Sequence, residues 1–204
     1  MSFLGEFLSM LYRVSSLEII VFDPEAKFAS DAPESREGLR FYSGAKQCGE
    51  GIMQLFEEIV KRNNSYKDAI EAGKSIPDFS FAMCIFISMK SLNDCLADDL
   101  PERLRLVLEK NDPAFRFNML IADNAKDISG YSFNPWFKKQ ISGTDGIWCG
   151  NGVTEQYVIK PNATTPAMRQ AIAAPLGYTL EKGEASLCKL ISESGENDGD
   201  QVSR

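Results

Sequence analysis

Three apolar runs, at residues 17–22, 79–87 and 115–122, constrain the fold more than any other feature of the sequence. The first run contains four consecutive apolar side chains before Asp23-Pro24, whereas a half-exposed strand alternates apolar and polar residues, so it predicts a strand covered on both faces. A long helical pattern over about 46–72 separates the first run from the second, and a charged helix with Leu104 and Val107 separates the second from the third. Strands that alternate with helices predict an α/β protein with a mostly parallel sheet.

The remaining patterns are shorter. An amphipathic helix is predicted over 2–14, a short strand over 39–42, and two more short strands near 147–149 and 156–159. Residues 178–180 and 186–191 around Lys182-Gly183 predict a terminal β-hairpin. We expect one domain over residues 1–192, followed by an acidic, disordered tail over 193–204.

The sequence contains no histidine, and its 22 Lys and Arg against 29 Asp and Glu give a net charge of −7. The lack of imidazole excludes Ser-His-Asp and Cys-His nucleophiles and any histidine-ligated metal, so chemistry must use carboxylates, Lys, Cys, Tyr or a cofactor. The negative charge disfavours nucleic acid as a partner, because neutralising phosphates requires clustered cations. Five widely spaced cysteines are typical of a cytosolic chain, and no apolar run reaches membrane-spanning length.

Two further patterns bear on ligand binding. Gly73-Lys74-Ser75 matches the end of a phosphate-binding loop, but the upstream Gly is missing and Ile76-Pro77 follows, so we interpret the tripeptide as a helix end. Asp23 and Asp123 follow predicted strands, at the ends where open α/β sheets bind ligands. An unrelated α/β ligand-binding domain or enzyme that uses these two residues is therefore one alternative.

Three stretches, IIVFDP at residues 19–24, residues 115–123 and ISGTDGIWCGNGVTEQYVIK at 141–160, together with the order of elements, resemble the FtsK/SpoIIIE-type ATPases. The resemblance is greatest to the C-terminal ATPase module of EssC/YukB-type type VII secretion proteins. It implies an α/β RecA-like P-loop NTPase fold. Because a helix is predicted from residue 2, where the helix after the phosphate loop should already be running, we expect this chain to lack the first strand and the phosphate loop.

The departures from this family concern its catalytic groups. Ser88 and Met89 occupy the Walker B position, where the resemblance implies an Asp-Glu pair. Neither residue can hold magnesium through a carboxylate or orient an attacking water. Asp123 and Asn124 occupy the sensor position in an altered form. We therefore expect no catalytic residue, no metal site and no cofactor, with weak ATP binding left open.

The resemblance implies a non-hydrolysing, ATPase-like module of a type VII secretion motor. Its expected partners are adjacent ATPase modules or an Esx-type secreted protein. Its expected location is the cytoplasmic side of a membrane secretion complex, in which the full-length parent protein would be membrane-anchored. The aromatic side chains of Trp136, Phe137 and Trp148 are the candidate partner contacts. The other alternative is a fragment of an ATP-binding translocase whose Walker A loop lies upstream.

Overall fold

The structure, a computed structural model, describes residues 3–14, 16–33 and 36–190, which divide into two compact units. One unit is Leu11–Ser142, and the other contains the described residues up to Met10 together with those from Gly143 onward. The predicted single domain over 1–192 does not mark this division. The predicted disordered tail, 193–204, lies outside the described residues.

The unit Leu11–Ser142 contains a sheet of four parallel strands in the order β2-β1-β3-β4. The strands are β1 Glu18–Asp23, β2 Leu39–Ser43, β3 Ala82–Ile87 and β4 Phe117–Ala122. The central strands β1 and β3 are buried almost throughout, as their consecutive apolar residues predict. The predicted parallel α/β sheet is confirmed.

The helices are α1 Phe3–Tyr12, α2 Gly44–Glu71, α3 Met89–Cys95, α4 Leu100–Lys110, α5 Ala125–Ser129 and α6 Pro135–Gln140. Of these, α2 connects β2 to β3, and α3 and α4 connect β3 to β4, whereas a short 3-10 helix, Ala29–Asp31, lies between β1 and β2. Gly73, with φ +62°, follows the end of α2, which confirms the interpretation of Gly73-Lys74-Ser75 as a helix end. In the part of the chain that the structure describes, none of the helices combines the length and apolar character that a membrane crossing needs.

Aromatic stacking holds the centre of this sheet together. The ring of Phe22 stacks on that of Phe86, with centroids 5.2 Å apart, and on that of Tyr42 at 5.3 Å. Tyr42 also fixes how closely α2 approaches the sheet, because a Cβ added at Gly51 would lie 2.5 Å from its ring. A side chain at position 51 would therefore push α2 away from β2.

The amino ends of the strands carry a connected network of ion pairs. The guanidinium of Arg40 on β2 contacts Glu18 of β1 at 2.6 Å and Glu58 of α2 at 3.1 Å. Glu58 also accepts a hydrogen bond from Arg62 at 2.8 Å, and Arg62 donates to the carbonyl oxygen of Ser80 at 2.8 Å. Both signs of charge are matched at this end of the sheet, which we call the amino edge.

The second unit contains an antiparallel sheet in the order β5-β6-β7, with β5 Gly146–Trp148, β6 Leu176–Glu181 and β7 Glu184–Lys189. The predicted terminal hairpin is confirmed as β6 and β7. Its two turn residues, Lys182 and Gly183, both have positive φ, at 52° and 82°, as a type I′ turn requires. The core of this unit is formed by Val153, Met168, Tyr178 and Leu180.

The strand predicted over 156–159 is wrong. A short 3-10 helix, Val153–Glu155, precedes this segment, and the side chain of Gln156 takes the place of a neighbouring strand. Its amide nitrogen donates to the carbonyl oxygens of Val153 and Ile159, both at 2.6 Å. Its oxygen accepts from the N–H groups of Val158 at 2.6 Å and Ile159 at 2.8 Å. The side chain of this one glutamine therefore supplies the backbone hydrogen bonds that a neighbouring strand would otherwise make, and the segment remains an irregular loop.

Candidate functional site

Three strands of the parallel sheet end in polar residues at one edge, which we call the carboxyl edge. Asp23 is the last residue of β1, Ser88 follows β3 and Asp123 follows β4. The chain passes from β1 to β2 on one side and from β3 to β4 on the other, so the boundary between β1 and β3 is the topological switch point. Open α/β sheets bind ligands in the crevice at this position, which makes the carboxyl edge the candidate site.

Ser88 and Met89, at the Walker B position, form a tight packed turn. Ser88 has the left-handed conformation, with φ +52° and ψ +74°, and its N–H donates to the carbonyl oxygen of Ala122 at 2.9 Å. The side chain of Met89 is only 1% exposed and belongs to the hydrophobic core. Position 89 therefore contributes packing, and neither residue presents a carboxylate to the crevice.

Asp123, at the altered sensor position, closes this turn from the neighbouring strand. One carboxylate oxygen accepts from the N–H of Met89 at 2.9 Å, and the other accepts from the N–H of Asn124 at 2.7 Å. Burial raises the pKa of Asp123 above its ordinary value of 3.8, against the lowering effect of these two hydrogen bonds, and the nearby Asp127 and Glu25 raise it further. Asp123 is therefore a partly buried carboxyl group whose protonated form the fold favours.

Asp23 is fully buried, and its two oxygens have different surroundings. Oδ2 accepts a hydrogen bond from the N–H of Phe28 at 2.7 Å. Oδ1 is buried without a hydrogen-bond partner among the described residues. Buried polar atoms almost always have a partner, so this oxygen is an unusual feature of the edge.

A loop at residues 24–28 continues from Asp23 and carries further charges. Glu25 forms an ion pair with Lys27 and accepts a hydrogen bond from the hydroxyl of Ser91 on α3. The pKa of the Lys27 ammonium is raised, chiefly by its hydrogen bond to Glu25, with smaller contributions from Asp23 and Asp123. These contributions place the carboxylates at the ends of β1 and β4 within electrostatic range of Lys27.

The three predicted partner contacts lie in different surroundings. Trp136 on α6 is 3% exposed and packs against the rings of Tyr131, at 5.4 Å, and Phe137, at 5.8 Å. Phe137 itself is partly exposed. Trp148 lies on β5 in the other unit, is partly exposed, and donates its indole N–H to the carbonyl oxygen of Asn151. Trp136 therefore supports the fold directly.

The Gly73-Lys74-Ser75 tripeptide does not form a phosphate-binding loop. The backbone N–H groups of Gly73 and Lys74 already donate to Ile70 and Ala69 in the closing turn of α2, so they are not free to hold phosphate. Within the described ranges, no three Asp, Glu, Cys or His side chains come together as metal ligands. What the carboxyl edge can do chemically is accept hydrogen bonds and attract cations.

No family model and no curated protein matches the chain. Solved structures do match it. The cytoplasmic domain of EssC aligns with a TM-score of 0.61 at 12% identity, over 85% of this chain and 33% of that chain. ATPases 2 and 3 of Thermomonospora curvata EccC, in complex with a signal sequence peptide, align with a TM-score of 0.64 at 13% identity, over 91% and 34%.

The chain has the fold found in the cytoplasmic domain of EssC and in ATPases 2 and 3 of EccC. This confirms the predicted RecA-like α/β fold and the resemblance from which it came. The chain spans about a third of the length of each of these two structures. At this level of identity the likeness concerns the fold alone.

Sequence reasoning found Asp23, Ser88, Met89, Asp123 and Asn124 at this edge. It missed Glu25, Lys27 and Ser91. The charged residues directly after Asp23 were a usable signal, because the segment after a parallel strand lies at the carboxyl edge. Ser91 had no such signal, since α3 was not predicted.

Proposed function

We propose that the chain is a non-hydrolysing, ATPase-like module of a type VII secretion motor that acts through protein contacts. Its fold likeness to EssC and EccC supports the assignment to such a motor. The EccC structure contains a signal sequence peptide, which makes a secreted protein a reasonable class of partner for this chain as well. Adjacent ATPase modules are the other class.

One observation carries the non-hydrolysing assignment. Where the family resemblance implies an acidic pair, Ser88 is in a left-handed turn and Met89 is packed in the core. The nearest acid, Asp123, uses both carboxylate oxygens to accept backbone hydrogen bonds. No group at this turn is placed to activate water for attack on a phosphoryl group.

The test is a phosphate-release assay on the purified chain with ATP and magnesium, with a hydrolysing ATPase as positive control. We expect release equal to that of ATP in buffer alone. Turnover above this background that persists through further purification would refute the proposal. Titration with a nonhydrolysable ATP analogue, with and without magnesium, then tells a nucleotide-free module from one that senses nucleotide without cleaving it.

Phe137 and Trp148 are the proposed contact residues that are partly exposed in this structure. The ring of the buried Trp136 packs against that of Phe137. We expect Phe137→Ala and Trp148→Ala to weaken binding of an Esx-type C-terminal peptide, measured by calorimetry. Phe133→Ala is the matched control, because Phe133 is a highly exposed aromatic residue that the proposal does not use. If the Phe133 change alone weakened binding, the contact assignment would be wrong.

A cytoplasmic location, next to the membrane-anchored part of a longer subunit, follows from this proposal. Fractionation of cells that express the full-length parent, followed by protease treatment from each side of the membrane, tests it. Protection of the epitope-tagged module in intact cells is the expected result. Digestion from outside would contradict the proposed location.

A further inference from the structure

The parallel sheet ends laterally in two strands, β2 and β4, which differ in charge. On β2, Arg40 is held between Glu18 and Glu58, and charged side chains on a lateral strand oppose pairing with another chain. On β4, no charged residue lies between Phe117 and Ala122. This uncharged, mostly apolar run has the composition of a strand with neighbours on both sides, although among the described strands only β3 lies beside it.

The backbone of β4 alternates between bonding to β3 and pointing away from it. The N–H of Ala82 donates to the carbonyl oxygen of Arg116 at 3.0 Å, which places the even-numbered residues of β4 in the ladder with β3. The odd-numbered residues turn their N–H and C=O groups to the other side, which we call the outer side of β4. Within the described part of the chain, these groups of Met119 and Ile121 have no hydrogen-bond partner. The outer side therefore presents both donors and acceptors to another strand.

The side chains of β4 are less buried than those of β3. Residues 84–87 of β3 are buried, whereas the residues of β4 that lie beside them in register, 119–122, are all partly exposed. Asn118 is exposed. A further strand on the outer side would bury apolar side chains on both faces of β4 and would also pair its unbonded backbone groups.

We propose that the outer side of β4 pairs with β4 of a second copy of the chain, antiparallel about a twofold axis that passes beside Leu120. This axis places Met119 opposite the partner's Ile121, and each of these residues then exchanges both an N–H and a C=O hydrogen bond with the other. On the other face of the sheet, Leu120 lies directly opposite the partner's Leu120. The two four-stranded sheets would join into one continuous sheet.

Symmetry and charge favour a second copy as the occupant. A twofold contact requires a surface that is complementary to itself, and the unbonded groups of Met119 and Ile121 lie symmetrically about position 120. Each copy carries a net charge of −7, but the strand from Phe117 to Ala122 is uncharged, so no like charges meet across the axis. A charged segment of another protein would find no opposite charge on this strand. The inference does not depend on the secretion assignment.

The first test is sedimentation velocity of the full chain over a series of concentrations, at low and at moderate salt. A single pair of strands is a small interface, so we expect a reversible monomer–dimer equilibrium with a dissociation constant of about 1 mM or less. Added salt should increase the dimer fraction, because it screens the repulsion between two copies of charge −7. A chain that stays monomeric up to about 1 mM would overturn the proposal.

A charge exchange at the axis tests the register. Leu120→Lys and Leu120→Glu each place like charges opposite one another in a dimer, so we expect each variant alone to be monomeric. An equimolar mixture of the two should form a dimer again, because Lys and Glu then face each other. Leu187→Lys is the matched control, because Leu187 is an exposed leucine on β7, a lateral strand of the other sheet, and this change should leave association as in the wild type.

Thermal unfolding shows whether the Leu120 variants are folded. If either is not, Ile121→Pro takes their place, because it removes an N–H from the outer side and leaves the ladder with β3 intact. We expect this variant to be monomeric. A dimer that persists in the folded Leu120→Lys or Ile121→Pro chain would contradict the contact. Loss of the dimer in Leu187→Lys, or a mixture of the Leu120 variants that stays monomeric, would do so as well.

Discussion

The charged side chains at the two edges of the parallel sheet are paired differently. At the amino edge, Arg40 joins Glu18 to Glu58, and Arg62 extends the network to backbone carbonyl groups. At the carboxyl edge, one buried oxygen of Asp23 has no hydrogen-bond partner among the residues that the structure describes, and burial raises the pKa of Asp123. Charges at the amino edge therefore compensate one another across three elements, whereas the carboxylates at the carboxyl edge mostly accept hydrogen bonds from nearby backbone N–H groups.

Arg62→Ala should have the largest effect, because it breaks the amino edge. The guanidinium of Arg62 is buried, lies 4.0 Å from the Phe117 ring centre and satisfies the carbonyl oxygens of Ser80 and Phe115. Its removal leaves these two carbonyl oxygens without their donor and takes away one of the two arginine partners of Glu58, at a cost of about 2–5 kcal/mol in the free energy of unfolding. Chemical denaturation measures this change.

The control is Arg103→Ala, which removes an arginine from a more exposed i,i+4 pair with Asp99. We expect a loss of less than about 1 kcal/mol for it. Equal losses for the two arginines would mean that burial at the amino edge does not set the energetic difference.

Asp123→Ala should have an intermediate effect, because it removes the acceptor that caps the Ser88-Met89 turn. The N–H of Met89 then loses its partner, and we expect a loss of about 1 kcal/mol in stability, the usual size of a capping interaction. Asp123→Asn keeps one acceptor oxygen and should recover part of this loss. Thermal unfolding of both variants measures it, and identical melting of wild type and Asp123→Ala would show that the turn does not need its cap.

The pH dependence of stability should reveal the burial of the Asp123 carboxyl group. Because burial raises the folded pKa of Asp123 above its ordinary value of 3.8, protonation favours the folded state. Its contribution is fully present below pH 3.8 and is lost as pH rises through the raised folded value. Wild type should therefore lose stability relative to Asp123→Asn as the pH rises above 3.8. A difference that stays constant, or that changes with the opposite sign, would contradict the shift.

Glu25→Gln should have the smallest effect on stability. Its pairs with Lys27 and Ser91 are exposed, so we expect a change within about 0.5 kcal/mol. Glu58→Gln, at the amino edge, weakens contacts to both Arg40 and Arg62 and should cost more. Denaturation of the two variants side by side compares the edges directly, and an equal cost would remove the distinction between them.

Much of the parallel sheet could be predicted from the sequence, because β1 and β3 bury consecutive apolar residues on both faces. The failures have local physical causes that no periodicity shows. α3 was missed because its first N–H group is capped by Asp123, 34 residues away in the chain. The strand over 156–159 was wrong because the Gln156 side chain replaces a strand partner.

The candidate site was partly predictable for the same reason. Asp23 and Asp123 follow apolar runs, so strand prediction alone placed them at one edge. The unpartnered oxygen of Asp23 could not be foreseen, because it depends on how the 24–28 loop folds back through the Phe28 N–H group. The division between Ser142 and Gly143 likewise depends on three-dimensional contacts that lie between distant segments.

The burial of Met89 means that an acidic pair cannot simply be introduced at positions 88 and 89. A glutamate introduced at position 89 would place a carboxylate in the hydrophobic core, where ionisation is strongly disfavoured. An aspartate at position 88 would be compatible with the left-handed backbone there, because Asp tolerates this conformation, so the glutamate is the change that the core opposes. Point substitutions that restore an acidic pair to the sequence would thus damage the core before they produced a hydrolytic centre.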